Sequence, residues 1–310
     1  MDILSTIIPI FAVIFIGWAA RQRGYIPPEF LGPANQLVYY VAIPAMIFHA
    51  ISQGSLSADF NSRVALLTLG SLAVFFLLLW AFSRPVRMGK SQFATFMQSC
   101  YHGNLGYIGL AVSFYYLGER GLARASILAG FLMILQNLLS VFILQYYGGE
   151  QKERKQKGGR LLAGLRKILG NPVIFSAIAG ILFSALQIPL HPVITRTLNI
   201  ISGMALPLAL LLIGASLSLH LIRSRFFAVL VSGMLKLVLL PGLGFMLYRL
   251  WGLPAADYLP GLILLAAPTA TITYVMAREM NGDTEFAVAA ISTNTLLSAL
   301  GFFVWLSIAR

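Results

Sequence analysis

The sequence predicts an all-α membrane protein, with ten transmembrane helices arranged as two inverted five-helix repeats and breaks in the fourth and ninth helices. Three observations carry that expectation. Of the 310 residues, 58% are hydrophobic and only 10% are charged, whereas a soluble domain carries roughly 25% charged residues. Too few polar side chains exist to cover a surface facing water. The apolar residues fall into blocks of about 20, the length that crosses the hydrocarbon core of a bilayer. Prolines and glycines also recur between the two halves of the chain at one offset of 163 residues, pairing Pro9 with Pro172, Gly17 with Gly180 and Pro44 with Pro207.

The expected spans are 3–20, 33–52, 63–82, 93–117, 121–147, 171–188, 197–219, 226–250, 257–278 and 285–308. The first lacks a basic leader, and Arg21 and Arg23 follow it, so it reads as a retained helix and not a signal peptide. The second holds Gln36, Tyr39 and Tyr40, which say little about function. The fourth contains CYHGNLGYIGL (100–110), with Gly103, Gly106 and Gly109 around Asn104. The fifth carries QNLLS (136–140), echoed by NTLLS (294–298) in the tenth. Residues 148–168, with the run GGEQKERKQKGGR, read as a solvated cytoplasmic basic linker. It divides a first five-helix repeat (1–147) from a second, inverted one (169–310). PVIFSAIAGI in the sixth span answers PIFAVIFIGW in the first, and ALPLALL in the seventh answers AIPAMIF in the second. The eighth contains Lys236, and the ninth contains LAAPTATITY (265–274), with Pro268 ahead of Thr269, Thr271 and Thr273.

Five spans in each half is an odd number, so the second half enters the membrane upside down. Inverted repeats are a hallmark of secondary transporters, whose substrate site lies near the midplane where the repeats meet. The two interrupted spans have the chemistry for such a site. By the 163-residue offset Pro268 maps to position 105, beside Asn104. Proline removes a donor and clashes with the carbonyl four residues back, and glycine leaves helical geometry cheaply. The freed groups are tolerated at membrane depth where they are buried or line a wet cavity. Helix N-termini there present N–H groups and partial positive charge to an anion. Kinks and close-packing glycines in an ordinary bundle are the alternative for each motif alone.

The formal net charge of +12 does not point to nucleic acid, because the basic residues lie in short loops between apolar blocks. With the N-terminus outside, the inner loops hold fifteen of them: Arg21 and Arg23; Arg84, Arg87 and Lys90; seven in the central region; Arg223 and Arg225; and Arg278. Arg63, Arg120, Arg124, Arg196, Arg249 and Arg310 lie outside. That bias predicts both termini on the outer face and contact of the inner loops with anionic lipid.

Lys236 lies about ten residues into its span, roughly 15 Å along the helix. An intramembrane charge is a functional candidate by default. It reads either as a holder of an anionic substrate or counter-charge, or as part of a salt bridge or carbonyl cluster. No Asp or Glu falls mid-span, which argues against a carboxylate proton relay and an acid-lined cation site. His102 has the chemistry of a proton carrier and equally that of a hydrogen-bonded structural residue. Gln136, Asn137, Thr293 and Asn294 either line the site or bond between helices. Cys100 is the single cysteine, so no intrachain disulfide forms, and no spacing suggests a metal site. There is no Walker-type loop, HExxH or GxSxG, so neither an enzyme nor a cofactor is expected.

The phrases HGNLGYIGL (102–110), GNPVIFSAIAGILF (170–183), ALPLALLLIGASLSL (205–219), APTATITYVMARE (267–279), NGD (281–283) and STNTLLSAL (292–300) resemble bacterial members of the auxin efflux carrier family, over nearly the whole chain. The resemblance implies a fold similar to the bile-acid symporters. It implies a scaffold of helices 1, 2, 6 and 7, which also forms a homodimer, and a transport domain of helices 3–5 and 8–10. Helices 4 and 9 would cross at their breaks beside the substrate. Asn104 matches the asparagine of the family's first crossover, and Pro268 the proline of its second. The chain departs at Ala111, where the family pattern has a proline; glycines would then take over the break.

The candidate substrate-binding residues are Gly103, Asn104, Tyr107, Lys236, Pro268, Thr269, Thr271 and Asn294, with Gly106, Gly109 and Pro268 as helix breakers. The expected function is secondary transport of small organic anions, auxin-like or mono- and dicarboxylate acids, in a bacterial inner membrane. A sodium-coupled symporter or a channel on the same fold is the alternative. A sensor without transport is disfavoured, because the central loop is too short for a signalling domain.

Overall fold

The computed structural model describes residues 3–54, 59–82, 88–148, 171–218, 220–221 and 225–309. Apart from Gly148, the expected linker 148–168 lies outside the described residues, as do Arg84, Arg87 and Arg223. The described chain is helical and contains no named strand. Seven helical segments are long and apolar enough to cross a membrane: Ile3–Gln22, Pro28–Ser52, Ser62–Phe82, Leu105–Tyr147, Pro192–Ala215, Phe226–Leu250 and Thr284–Ile308. Pro172–Ala185 and Ala255–Ala266 are shorter apolar helices. Large apolar side chains face outward along them; Leu66 is 72% and Ile200 78% exposed. Such surfaces suit lipid, where burial is not needed to keep them from water.

We label the helices α1 (Ile3–Gln22), α2 (Pro28–Ser52), α3 (Ser62–Phe82), α4 (Lys90–Ser99), α5 (Leu110–Gly148), α6 (Pro172–Ala185), α7 (Pro192–Ala215), α8 (Phe226–Leu250), α9 (Ala255–Ala266), α10 (Ile272–Glu279) and α11 (Thr284–Ile308). Proline shapes two of them. In α2 a π turn at Val38–Ala42 ends two residues before Pro44, and in α8 another at Leu235–Leu239 ends two residues before Pro241. Proline cannot donate to the carbonyl four residues back. The widened turn instead hands the carbonyls of Val38 and Leu235 to the N–H groups of Ile43 and Leu240.

The expected fourth and fifth spans run on as one helical stretch, α5, interrupted at Gly118. Its φ of 72° is left-handed, a conformation open to glycine at little cost, and the helix kinks there. The NGD turn before α11 is equally local in origin. Asn281 adopts φ 57°, and the Asp283 carboxylate accepts the Phe286 N–H at 2.9 Å as an N-cap.

Two groups of helices follow from the packing. In the first, α1 lies against α7 and the second half of α2 against α6. The α1–α7 contact is backbone to backbone: a Cβ on Gly17 would overlap the Leu211 carbonyl, and one on Gly214 the Ile14 carbonyl. At the second contact a Cβ on Gly180 would meet Ile51 Cβ at 2.9 Å. In the other group α3 packs on α8 and α9, and α11 on α4, α8 and α10.

Candidate functional site

The helices break at two places, and the breaks touch. The first lies at Cys100–Asn104, between α4 and a π turn at Leu105–Gly109 that opens α5. The second lies at Ala267–Thr271, between α9 and α10. Gly103 and Thr269 form an isolated antiparallel bridge. The Asn104 N–H donates to the Pro268 carbonyl at 2.7 Å, and the Ala270 N–H to the His102 carbonyl at 2.8 Å. Backbone groups freed by the breaks thus satisfy one another, as a low-dielectric interior requires.

Side chains brace the crossing. The Thr269 hydroxyl donates to the Ser99 carbonyl at 2.8 Å and accepts from Asn294 Nδ2 at 2.7 Å. Gln136 Nε2 donates to the Tyr101 carbonyl at 3.3 Å. Ser140 Oγ lies 2.9 Å from His102 Nδ1 and accepts from the Tyr101 hydroxyl at 3.2 Å. QNLLS in α5 and the asparagine of NTLLS in α11 therefore hold the two breaks from either side.

A cavity of ≈ 1290 Å³ reaches the crossing, larger than the roughly 300–1,000 Å³ of an ordinary small-molecule pocket. Its floor is His102–Tyr107 and Ala270–Ile272. Its walls come from α1 (Trp18, Arg21, Gln22), α2 (Asn35, Gln36, Tyr39), α5 (Met133, Gln136, Asn137) and the C-terminal end of α7 with Ser216 and Ser218. Asn171 at the start of α6 and His220 also line it. The ends of α1, α2, α6 and α7 nearest this cavity are those that the loop charges assign to the inner face.

Two helix starts face the floor. The helices that follow the two breaks both begin there, and a helix start carries N–H groups without intrahelical acceptors and the positive end of the macrodipole. Asn104 caps the first of them: its Oδ1 accepts the Tyr107 N–H at 3.2 Å. That bond fixes the orientation of the carboxamide and leaves Nδ2 without a hydrogen-bond partner, although the residue is only 5% exposed. A buried donor without an acceptor costs about 1–3 kcal/mol, so this atom is prepared for one.

The eight candidate residues divide by position. Gly103, Asn104, Tyr107 and Thr271 line the cavity, together with the helix breaker Gly106. Pro268, Thr269 and Asn294 are buried in the crossing behind that floor. Gly109 is buried against α9, where a Cβ would meet Leu264 Cδ2 at 3.0 Å. Lys236 is fully buried, and its Nζ donates to the Leu265 carbonyl at 2.7 Å. Its partner is a backbone carbonyl, and it does not line the large cavity. Ala111, where the family proline is missing, is buried in the first turn of α5, and a π turn supplies the break ahead of it.

Two cavity residues escaped the sequence analysis. Asn35 Oδ1 accepts from the Tyr107 hydroxyl at 3.4 Å, and Arg21 stands at the cavity wall as its one arginine among the described residues. A signal for the first existed: Gly32, Asn35, Gln36, Tyr39 and Ile43 follow helical spacing along one face of α2. Arg21 was visible only as a loop charge.

A smaller cavity of ≈ 490 Å³ lies at the opposite ends of the helices, lined by Asp59–Val64, Arg124 and Trp251–Pro254 with Asp257. It shares no residue with the large one. Asp59 there pairs with Arg120 at 3.0 Å and Arg124 at 3.3 Å.

The family model described as membrane transport protein matches residues 2–306. The chain is 27% identical over 301 residues to a protein of Rhizobium meliloti (strain 1021) named "Putative malonate transporter", covering 96% of this chain and 92% of the relative. It is 24% identical over 309 residues to an uncharacterized transporter of Methanothermobacter thermautotrophicus, covering 98% of each. A further uncharacterized transporter, from Methanocaldococcus jannaschii, is 22% identical over 308 residues, with 97% of each chain covered.

Proposed function

We propose, from the premise that this chain belongs to the membrane transport protein family of the auxin efflux carriers and is a transporter rather than an enzyme, that it moves small organic anions as a secondary carrier working by alternating access. The observation that carries this reading is the large cavity ending on the two touching breaks, where Gly103, Asn104 and Thr271 line it and the Asn104 Nδ2 is buried without a partner. A carboxylate seated there lies at two helix starts, each of which favours negative charge, and a small shift of the Asn104 carboxamide would bring Nδ2 to it. The relative's name, "Putative malonate transporter", points to an acid of this class, and malonate heads the compounds to be tried.

Several features support the finer architecture. The α1–α7 contact and the α2–α6 contact exchange under the 163-residue offset, as two inverted five-helix repeats require. On this reading α1, α2, α6 and α7 form the scaffold and the homodimer surface, and the remaining helices carry the crossing. The large cavity then faces the cytoplasm, with both termini outside a bacterial inner membrane. That the two cavities share no residue favours a carrier open to one side over a channel.

The test is a thermal-shift screen of the purified protein against malonate, other mono- and dicarboxylates, indole acids and their neutral amides, followed by uptake of any hit in proteoliposomes. Acids should stabilise the protein and amides should not. Saturable uptake with counterflow identifies a carrier; uptake without counterflow identifies the channel alternative, and a requirement for sodium the symporter. Tight binding of a neutral or cationic ligand in place of acids defeats the assignment.

A further inference from the structure

The anion reading leaves one strong chemical group unused, the ammonium of Lys236 in the π turn of α8. Among the described residues no carboxylate pairs with it. Its Nζ donates to the Leu265 carbonyl in the last turn of α9. On its other side lies Gly103, where a Cβ would stand 3.3 Å from Nζ and 3.4 Å from the Ala267 carbonyl. One buried ammonium therefore bonds the end of the helix that leads into the second break and stands beside the first break at Gly103. Its titratable neighbours, Cys100 and His102, belong to the first break.

Each party to this contact is costly alone. The last carbonyls of a helix have no intrahelical donor and carry the negative end of the macrodipole. At membrane depth no water replaces the donor. A lysine without a counter-charge in the same place is also expensive. Brought together, the two satisfy each other, and the absence of a side chain at position 103 leaves the room. A freed helix-end carbonyl at membrane depth is also a ligand type that transporters offer to coupling cations, and an ammonium is a compact point charge of that sort.

We propose that Lys236 is a tethered cation, whose ammonium fills the place at the crossing that a small free cation would otherwise occupy. The crossing is then held by the chain's own charge and needs no sodium. The inference rests on the transporter reading only in naming the displaced ion a coupling ion; the contacts stand without it.

Thermal unfolding of the purified full chain tests this without any transported substrate. The wild-type melting temperature should be the same in sodium chloride and choline chloride. Lys236→Ala should lower it by roughly 4–8 °C, and methylammonium chloride, which resembles the lost end of the side chain, should restore at least half of the loss where choline does not. Lys236→Met fills the space without charge, so it should also melt early but ignore methylammonium. Stabilisation of the wild type by sodium over choline overturns the inference. So does a Lys236→Met protein as stable as wild type, or a Lys236→Ala protein indifferent to methylammonium. Should Lys236→Ala not survive purification, the wild-type and Lys236→Met measurements decide. Failure here leaves the anion-carrier reading standing, because uptake and counterflow judge that separately.

Discussion

Asn104 offers a pair of substitutions that separate the two roles of its carboxamide. Its carboxamide does two things: Oδ1 caps Tyr107 N–H at 3.2 Å, and Nδ2 is a buried donor without a partner that the proposal assigns to the anion. Asn104→Ala removes both. Loss of a cap costs about 1 kcal/mol of stability, and loss of a donor to a charged ligand about 1.5–3 kcal/mol of binding, or roughly 10- to 150-fold in affinity. Asn104→Asp keeps the cap acceptor but replaces the donor with a negative charge. Added to the lost donor is repulsion of about 4 kcal/mol, for unit charges 4 Å apart at an effective dielectric of 20. Affinity should then fall by more than about a thousandfold. Measured by titration calorimetry at pH 8, well above the ordinary Asp pKa of about 3.9, binding of the strongest acid from the screen should rank Asn above Ala above Asp. Melting temperature should fall in both variants, because Ala loses the cap and Asp buries an unpaired charge. An Asp variant that binds as well as the Ala variant, or an Ala variant that binds like wild type, would refute the assignment of Nδ2 to the anion.

Other outcomes follow from the same contacts. Thr269→Val strips the Ser99 carbonyl and Asn294 Nδ2 of their partner and should cost about 2–5 kcal/mol, while Thr269→Ser should melt near wild type. Gly214→Ala drives a methyl into the Ile14 carbonyl, so α1 must retreat from α7, lowering stability by about 1–3 kcal/mol in a denaturation assay. Arg120→Ala should change the melting temperature little, because the guanidinium that pairs with Asp59 is 66% exposed and such pairs are worth less than about 1 kcal/mol. Cys100 is buried, so cysteines introduced singly at Gln22 and Arg63 can be labelled against a low background. An impermeant maleimide should reach position 63 from outside intact cells and position 22 only in inverted vesicles; labelling of both from one side ends the proposed orientation.

The breaks show how far local chemistry reaches. Gly103, Asn104, Gly106 and Pro268 announce in the sequence where a helix cannot run smoothly, because φ freedom and a missing N–H belong to the residue itself. Pro44 and Pro241 act in the same way on the π turns ahead of them. Lys236 was legible as a costly charge, yet its partner was not. The carbonyl it meets is 29 positions away in sequence, and a backbone carbonyl carries no compositional signature. Asn35 and Arg21 were visible as residues without a role, since only the approach of α2 and α1 to the crossing gives them one.

The chain by itself determined its solvent, its helical character and its membership among membrane transporters. Those depend on total apolar content, on the length of apolar blocks and on recurrent phrases, all of which survive without knowing any contact. Tertiary structure alone decided that the Asn104 N–H meets the Pro268 carbonyl, that Nδ2 is left over, and that Lys236 stands behind the floor rather than in the cavity. Each depends on how separate helices meet at the crossing, and sequence order does not encode distances across a bundle.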